Sequence, residues 1–375
     1  MEFRDLKTQY QKYKNEIDLA VQEVMQSASF IGGKHVNELE QQLAEYVGVK
    51  HCITCANGTD ALSLVLMAWG VKEGDAVFVP DFTFFSTGEV VSFNGATPVF
   101  VDVDETTFNI DTEKLEKAIQ KTLAEGKLTP RIVIPVDLFG LPANYKKVER
   151  IAKQYNLLVL EDGAQGFGGN IDGKMACSFG NAATTSFFPA KPLGCYGDGG
   201  AIFTNDDELA QLLKSIKVHG KGNNKYDNVR IGVNSRLDTM QAAILQIKLR
   251  AFIEHELKDV NKAYQRYNQK LNGIVETPII PDGYYSSFAQ YTIKLQSKEQ
   301  RDGLQAKLKE NGIPSMIYYI KPMHKQEAFS NLVFDDNEYE VTNKLCNTVL
   351  SLPMHPYIKE ENIEAVCNVI QDFLK

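Results

Sequence analysis

Residues 182–204 read AATTSFFPAKPLGCYGDGGAIFT. Two short apolar runs, 182–188 and 200–204, have the length and composition of buried strands, and a glycine-rich turn joins them. One lysine, Lys191, sits in that turn. Lysine is ordinarily a solvated surface group. Here Phe187, Phe188, Pro189 and Ala190 precede it. An apolar setting lowers an amine's pKa and frees its lone pair for attack on a carbonyl. Pro192 and the glycines 194, 197, 199 and 200 shape a tight turn able to present the amine. On local pattern alone, a solvated loop lysine fits equally well.

Outward from this segment the pattern alternates. Helical spacing of apolar residues marks 16–26, 36–46, 60–69, 112–123 and 145–155, and short apolar runs mark 51–56, 76–80, 97–103, 132–136 and 157–161. This implies an α/β domain with a mostly parallel central sheet flanked by helices. Near residue 250 the pattern changes. A long charged helix is expected over 249–272, then a strand over 289–295, a helix over 298–311, a strand over 315–319 and a last helix over 359–374. The expected division is a large domain, 1–250, and a smaller C-terminal α+β domain, 251–375.

The 375 residues carry a formal net charge of -8 with no basic tail, which argues against nucleic acid as the main partner. The opening MEFRDLKTQYQKYKNEIDLA is charged and lacks the apolar core of a secretory signal, and no apolar run approaches the roughly 18 residues of a membrane span. A cytoplasmic protein without membrane contact is expected. Cys52 and Cys55 form a C-x-x-C, but no second pair or thioredoxin-like context accompanies it. They read as small apolar residues of a buried strand, and no metal site is expected.

Several polar residues follow expected strands, and open α/β sheets bind ligands at their strands' carboxyl ends. Asp162 ends the run LLVLED. A carboxylate there needs a partner, because a lone buried charge is costly. It suits the protonated ring nitrogen of pyridoxal phosphate, and it suits a helix cap or structural ion pair as well. Asn57-Gly58-Thr59 precedes a helix, where free amides and the helix dipole favour a phosphate; simple capping by Asn57 or Thr59 is the plainer reading. Phe84 could stack on a flat ring or belong to the core. Ser186 could bind phosphate, and Gln165 a ring oxygen.

Taken together, ANGTDAL, EDGAQGFGG, SFFPAKPLGCYGDGGAIFTND and GVNSRLDTMQAAIL resemble the DegT family of fold-type I, pyridoxal 5'-phosphate-dependent sugar aminotransferases, and the likeness runs from FRDLKTQY to SLPMHPYI. The resemblance implies that Lys191 is the catalytic Schiff-base lysine, and that Asp162 partners the pyridine nitrogen. It implies that Gln165 meets the ring hydroxyl, that Gly58, Thr59 and Ser186 hold the phosphate, and that Phe84 stacks on the ring. Asn234 is similar to a residue reaching the phosphate from a second subunit, which implies a homodimer with shared sites. Arg236 and Tyr318 are expected to meet substrate. The implied reaction moves an amino group from L-glutamate to a nucleotide-linked keto-sugar, for cell-surface polysaccharide or antigen synthesis. NSRLD looks like the branch aminating C3, and SFFPAKPLGCYGDGGAIFTNDDELA with NSRLDTMQAAIL resembles enzymes acting on UDP-2-acetamido-3-keto sugars, which implies the 3-keto-glucuronate as the substrate expected first. Tyr318 departs from that pattern, where a histidine would stand, as does Asp137, where many relatives carry histidine. The alternatives are a dTDP-3-keto-6-deoxyhexose aminotransferase and a regulatory protein binding the same ligands without turnover. A dehydratase of this family would carry histidine at position 191, and a nicotinamide dehydrogenase would want G-x-G-x-x-G where Asn57-Gly58-Thr59 stands.

Overall fold

Short apolar strands alternating with helices bury both strand faces only when helices cover both sides of the sheet. The computed structural model, which describes residues 1–224 and 226–375, has this arrangement. Helices α1 (Leu6–Ser27) and α2 (Lys34–Val47) lead into β1 (His51–Cys55), α3 (Gly58–Ala68), β2 (Asp75–Pro80), α4 (Ser86–Phe93), β3 (Thr97–Val101), α5 (Thr112–Glu125), β4 (Thr129–Val133), α6 (Tyr145–Tyr155) and β5 (Leu158–Asp162). A hairpin of β6 (Asn170–Ile171) and β7 (Lys174–Met175) precedes β8 (Ala182–Ser186), β9 (Gly200–Thr204), α7 (Asp207–Ile216) and α8 (Thr239–Ala251).

The seven-stranded sheet has the order β1-β9-β8-β5-β4-β2-β3. Only β9 runs against the others, pairing antiparallel with β1 and β8. Successive side chains on a strand point to opposite faces, and the two cores follow that rule. Val77, Ile132, Leu160 and Ile202 pack with α3, α4 and α7 on one side. Their neighbours Phe78, Val133 and Val159 pack with α5 and α6 on the other, where Ala201 and Phe203 meet α2 and α8. Cys52 and Cys55 are buried free thiols of β1, one on each face.

Beyond α8 come α9 (Leu257–Leu271), β10 (Tyr284–Tyr285), β11 (Tyr291–Lys294), α10 (Lys298–Glu310), α11 (Glu340–Thr348), β12 (Val349–Leu352) and α12 (Glu360–Leu374). The antiparallel pair β11–β12 and helices α9, α10 and α12 enclose their own core, including Tyr267, Ile293, Leu304, Leu350 and Ile363. Two expectations need correction. The helix expected over 249–272 is not one regular piece: α8 runs into a π-helical turn, Phe252–Glu256, before α9 begins. Such a turn changes the helical phase, and here Phe252 and Glu256 are both buried. The strand expected over 315–319 does not form. Among the described residues a single bridge, Met316 to Ser351, is its only sheet pairing, because Tyr318 and Tyr319 turn instead toward Phe82 and the cavity described next. No helix is long and apolar enough to cross a membrane among the described residues.

Candidate active site

The carboxyl ends of the parallel strands open into a cavity of about 420 Å³, within the usual range for small-molecule sites. Asp162, the last residue of β5, forms part of its wall and is 4% exposed. Its Oδ2 accepts a hydrogen bond from Thr87 Oγ1 at 2.9 Å, and its Oδ1 accepts one from the Ala164 N–H at 3.2 Å. Burial pushes the Asp162 carboxyl above its ordinary value, opposed by the Thr87 bond and by the charge of Lys191. Lys191 lies on the same cavity, five residues past β8. Desolvation lowers its amine pKa, the Asp162 charge raises it and Arg4 lowers it further. Among the described residues its Nζ takes no hydrogen bond or ion pair, so the amine is uncommitted.

A third wall is the start of α3. The Asn57 side chain accepts from the Asp60 N–H at 2.8 Å and the Asn57 carbonyl from the Ala61 N–H at 3.1 Å. The first N–H groups of a helix have no internal partner, and those of Gly58 and Thr59 remain at the cavity edge with Ser186 beside them. A Cβ on Gly58 would lie 2.7 Å from Ser186 Cβ, so α3 and the end of β8 touch there. Phe84 lines the cavity and is 54% exposed. Gln165 is buried and held at both ends of its amide: its Oε1 accepts from the Phe139 N–H at 2.7 Å and one N–H of its Nε2 donates to Tyr319 Oη at 3.1 Å. Tyr318 lines the same space, its ring 5.8 Å from that of Tyr319.

Lys191, Asp162, Gln165, Gly58, Thr59, Ser186, Phe84 and Tyr318 are thus brought together. Asn234 and Arg236 are not. Ser235 between them points inward, donating to Asp60 at 2.6 Å and accepting from the Ala56 N–H at 3.0 Å. Its neighbours therefore point out, and both are exposed. Arg236 lines a separate surface hollow with His219, Lys221 and Arg230.

Three contributors escaped the sequence reading. Thr87 lies on α4, an unexpected helix. Tyr319 carries the second bond of Gln165. Arg4 donates from Nη2 to the carbonyls of Lys191, at 2.7 Å, and Pro192, at 3.2 Å. The doubled tyrosine was a signal for Tyr319; nothing local marks the other two.

Behind Asp162 lies a carboxyl pair. Glu161 accepts from the N–H groups of Cys177 and Phe179. Asp137 Oδ1 accepts from the Ala143 N–H at 3.0 Å and from Tyr145 Oη at 2.7 Å, while its Oδ2 has no partner heavy atom able to donate. Both groups are pushed upward, chiefly by burial, and Glu161 also by the neighbouring Asp137. One proton held between them accounts for the otherwise orphaned Oδ2.

The model of the DegT/DnrJ/EryC1/StrS aminotransferase family matches residues 11–371. The chain belongs to that family. Over 370 residues, 98% of both chains, it is 45% identical to a UDP-2-acetamido-2-deoxy-3-oxo-D-glucuronate aminotransferase of Pseudomonas aeruginosa. It is 44% identical to a pleiotropic regulatory protein of Geobacillus stearothermophilus, covering 99% of this chain and 98% of that one. The crystal structure of a DegT/DnrJ/EryC1/StrS aminotransferase from Brucella abortus superposes with a TM-score of 0.97 at 48% identity, covering 100% of this chain and 99% of the other. NtdA of Bacillus subtilis, solved with bound cofactor PMP, superposes at 0.87 with 28% identity, covering 99% and 83%. The cavity of this aminotransferase fits pyridoxal 5'-phosphate group by group. An uncommitted amine suits the aldehyde, a buried carboxylate lacking a cationic hydrogen-bond donor suits the ring nitrogen, and free helix N–H groups suit the phosphate.

Proposed function

We propose that this enzyme transfers an amino group from L-glutamate to C3 of a nucleotide-linked keto-sugar, a UDP-2-acetamido-3-keto sugar such as the glucuronate. The observation that carries the reading is the meeting of Lys191 and Asp162 on one cavity beside the open start of α3. The C3 position and the UDP sugar are supported by the Pseudomonas aeruginosa relative, whose name specifies a 3-oxo sugar.

When bound, pyridoxal phosphate supplies a carbonyl for amine attack and a ring that takes up electrons. The residues do the rest. With the cofactor bound, the Lys191 amine would bond to that carbonyl and would hold and move the proton at the reacting carbon. Asp162 holds the proton on the ring nitrogen, and Thr87 and the Ala164 N–H keep that carboxylate aimed. Gly58, Thr59 and Ser186 bind the phosphate, Phe84 covers a ring face, and Gln165 orders the ring-oxygen side. Tyr318 meets the sugar. The cavity lies between the proposed cofactor domain, 1–250, and the proposed small domain, 251–375, which supplies Gln290, Tyr318 and Tyr319.

The assembly belongs to the same proposal. Exposed Asn234 and Arg236 serve the site of a second copy in a homodimer. Ile231, 88% exposed, and Val229, 53% exposed, lie on the same segment and favour its being covered. A guanidinium then meets substrate phosphate or carboxylate.

The test is a panel of UDP- and dTDP-linked 3-keto sugars with glutamate, assayed for 2-oxoglutarate. Turnover with a UDP-2-acetamido-3-keto sugar, abolished in Lys191→Ala with the fold retained, is expected. Turnover confined to dTDP-3-keto-6-deoxyhexoses moves the substrate. Undiminished turnover in Lys191→Ala removes the mechanism.

A further inference from the structure

We propose that Arg4 is a positioning residue for Lys191: the start of the chain straps down the turn that carries the amine and keeps a positive charge behind it. This rests on the reading of Lys191 as the cofactor-bonding amine.

The turn after β8 is tight and is closed at its base by the Phe187 N–H, which donates to the Gly199 carbonyl at 2.7 Å. The Lys191 N–H donates to the Phe188 carbonyl at 2.9 Å and the Cys195 N–H to the Phe187 carbonyl at 2.7 Å. The carbonyls of Lys191 and Pro192 are taken by Arg4 Nη2, one nitrogen with two N–H groups reaching two consecutive acceptors. Charge-assisted bonds of this kind are the stronger ones, and a planar guanidinium loses little freedom in forming them. The contact spans 187 residues of sequence.

Arg4 is itself held from both sides. Asp5 caps α1, accepting from the Thr8 N–H at 2.8 Å and from Thr8 Oγ1 at 2.6 Å. The Phe3 carbonyl accepts from the Met354 N–H at 3.3 Å, and the Phe3 ring lies edge-on to Tyr318, 6.4 Å between centroids. The strap therefore joins the Lys191 turn to the Tyr318 wall of the same cavity. Burial pushes the Arg4 guanidinium down to about 10, with Glu256 and Tyr357 opposing, so it stays cationic at neutral pH. Lys248 and His355 share this pocket, and Arg4 lowers the proton affinity of both. The charges that act on Lys191 are Asp162, on the cavity wall, which favours its protonation, and Arg4, outside the cavity lining, which opposes it. Asp198 stands at the exposed rim.

The experiment compares wild type, Arg4→Gln, Arg4→Lys and Lys191→Ala, each loaded with pyridoxal phosphate. Two readouts are taken: the pH midpoint of the visible band that forms when the cofactor bonds to a lysine, and kcat and KM. In Arg4→Gln the midpoint moves to higher pH, because a nearby positive charge is gone. Its kcat falls about tenfold, while the KM for glutamate changes less than about twofold. Arg4→Lys restores the charge without the fork, so its midpoint returns toward wild type and its kcat is intermediate. A folded Arg4→Gln with wild-type midpoint and kcat overturns the proposal. So does loss of the fold in both Arg4 variants, which makes the residue scaffold alone. Absence of the band in wild type, or its survival in Lys191→Ala, sinks the underlying reading of Lys191 instead.

Discussion

The Asp162 carboxylate and the Lys191 amine line one cavity, and each draws the other toward its charged form against the pull of burial. They reach it from adjacent parallel strands: Asp162 is in register with Thr184, and Lys191 lies seven residues beyond that partner. Neither group is neutralised by the other, because no ion pair joins them within 4 Å among the described residues. The proposed nucleophile and the proposed ring-nitrogen partner therefore share one cavity without pairing with each other.

Asp162→Asn tests that division of labour. Asparagine keeps an acceptor for Thr87 but cannot hold a proton on a ring nitrogen, and it removes the charge that favours protonated Lys191. Expected is a kcat loss of about 10²-fold or more with the thermal midpoint little changed. Steady-state 2-oxoglutarate formation and a melting curve check it; a kcat within about threefold of wild type refutes the role.

His324 ties two cavity walls together. Its backbone N–H donates to Asp81 Oδ1 at 2.8 Å, and its ring bonds Asp81 Oδ2 at 2.7 Å and Asp336 Oδ1 at 2.9 Å. Asp81 follows β2 and leads into Thr83 and Phe84; His324 follows Tyr318 and Tyr319. The two carboxylates raise the His324 pKa against desolvation and the charge of Lys325. The ring's contribution to stability is therefore full below the usual histidine value and lost as pH rises through the raised one. His324→Ala strands a buried carboxylate and should cost about 3–5 kcal/mol. Urea unfolding across pH measures both effects, and a variant as stable as wild type with the same pH slope excludes the pairing.

The parallel core was readable because its strands are short apolar runs ended by turn residues, as in LLVLED before Asp162. Lys191 stood out because a lysine between a buried strand and clustered glycines is chemically odd. What was not readable depends on distant partners. The segment 86–93, STGEVVSF, has little helix propensity, yet it forms α4 by packing. Gly88 sits so close to Met323 and Phe100 that a Cβ there would lie 2.6 Å from Met323 Cε. The residues 315–319 have strand composition, but Tyr319 is claimed by Gln165 and Phe82. Arg4 lies 187 residues from its acceptor, beyond the reach of any local pattern.

Asp137→Asn bears on stability more than on catalysis. Burial raises both carboxyls of the Asp137–Glu161 pair; Asp137 raises Glu161 further, while the bond from Glu161 pulls Asp137 down. A raised carboxyl stabilises the fold fully below the ordinary carboxylate range, and that contribution is lost as pH climbs through the raised value. Asparagine keeps an acceptor for Ala143 and Tyr145 and can turn its amide N–H groups toward Glu161. The expected result is a thermal midpoint that falls less between neutral and mildly alkaline pH than in wild type. An unchanged slope means that no proton is shared there.

Gly58→Ala probes the phosphate end by geometry. The new methyl would lie 2.7 Å from Ser186 Cβ and 3.3 Å from Ser186 Cα. Real Cβ contacts essentially never come as close as 2.7 Å, and the tight 3.3 Å contact is to a backbone atom, so α3 or the end of β8 must move. The glycine φ is not in the left-handed region, so the backbone conformation itself accepts alanine. The damage is then local: the Gly58 and Thr59 N–H groups separate from the Ser186 hydroxyl, and an anion can no longer meet all three. Because charge-assisted bonds are each worth about 1.5–3 kcal/mol, loss of one should weaken pyridoxal phosphate affinity by at least about tenfold. Lys191 and Asp162 lie outside this contact, so the cofactor-saturated variant should keep most of its kcat. Titration of the visible band with cofactor, followed by kcat at saturation, separates the two quantities. Wild-type affinity in a folded Gly58→Ala would place the phosphate elsewhere.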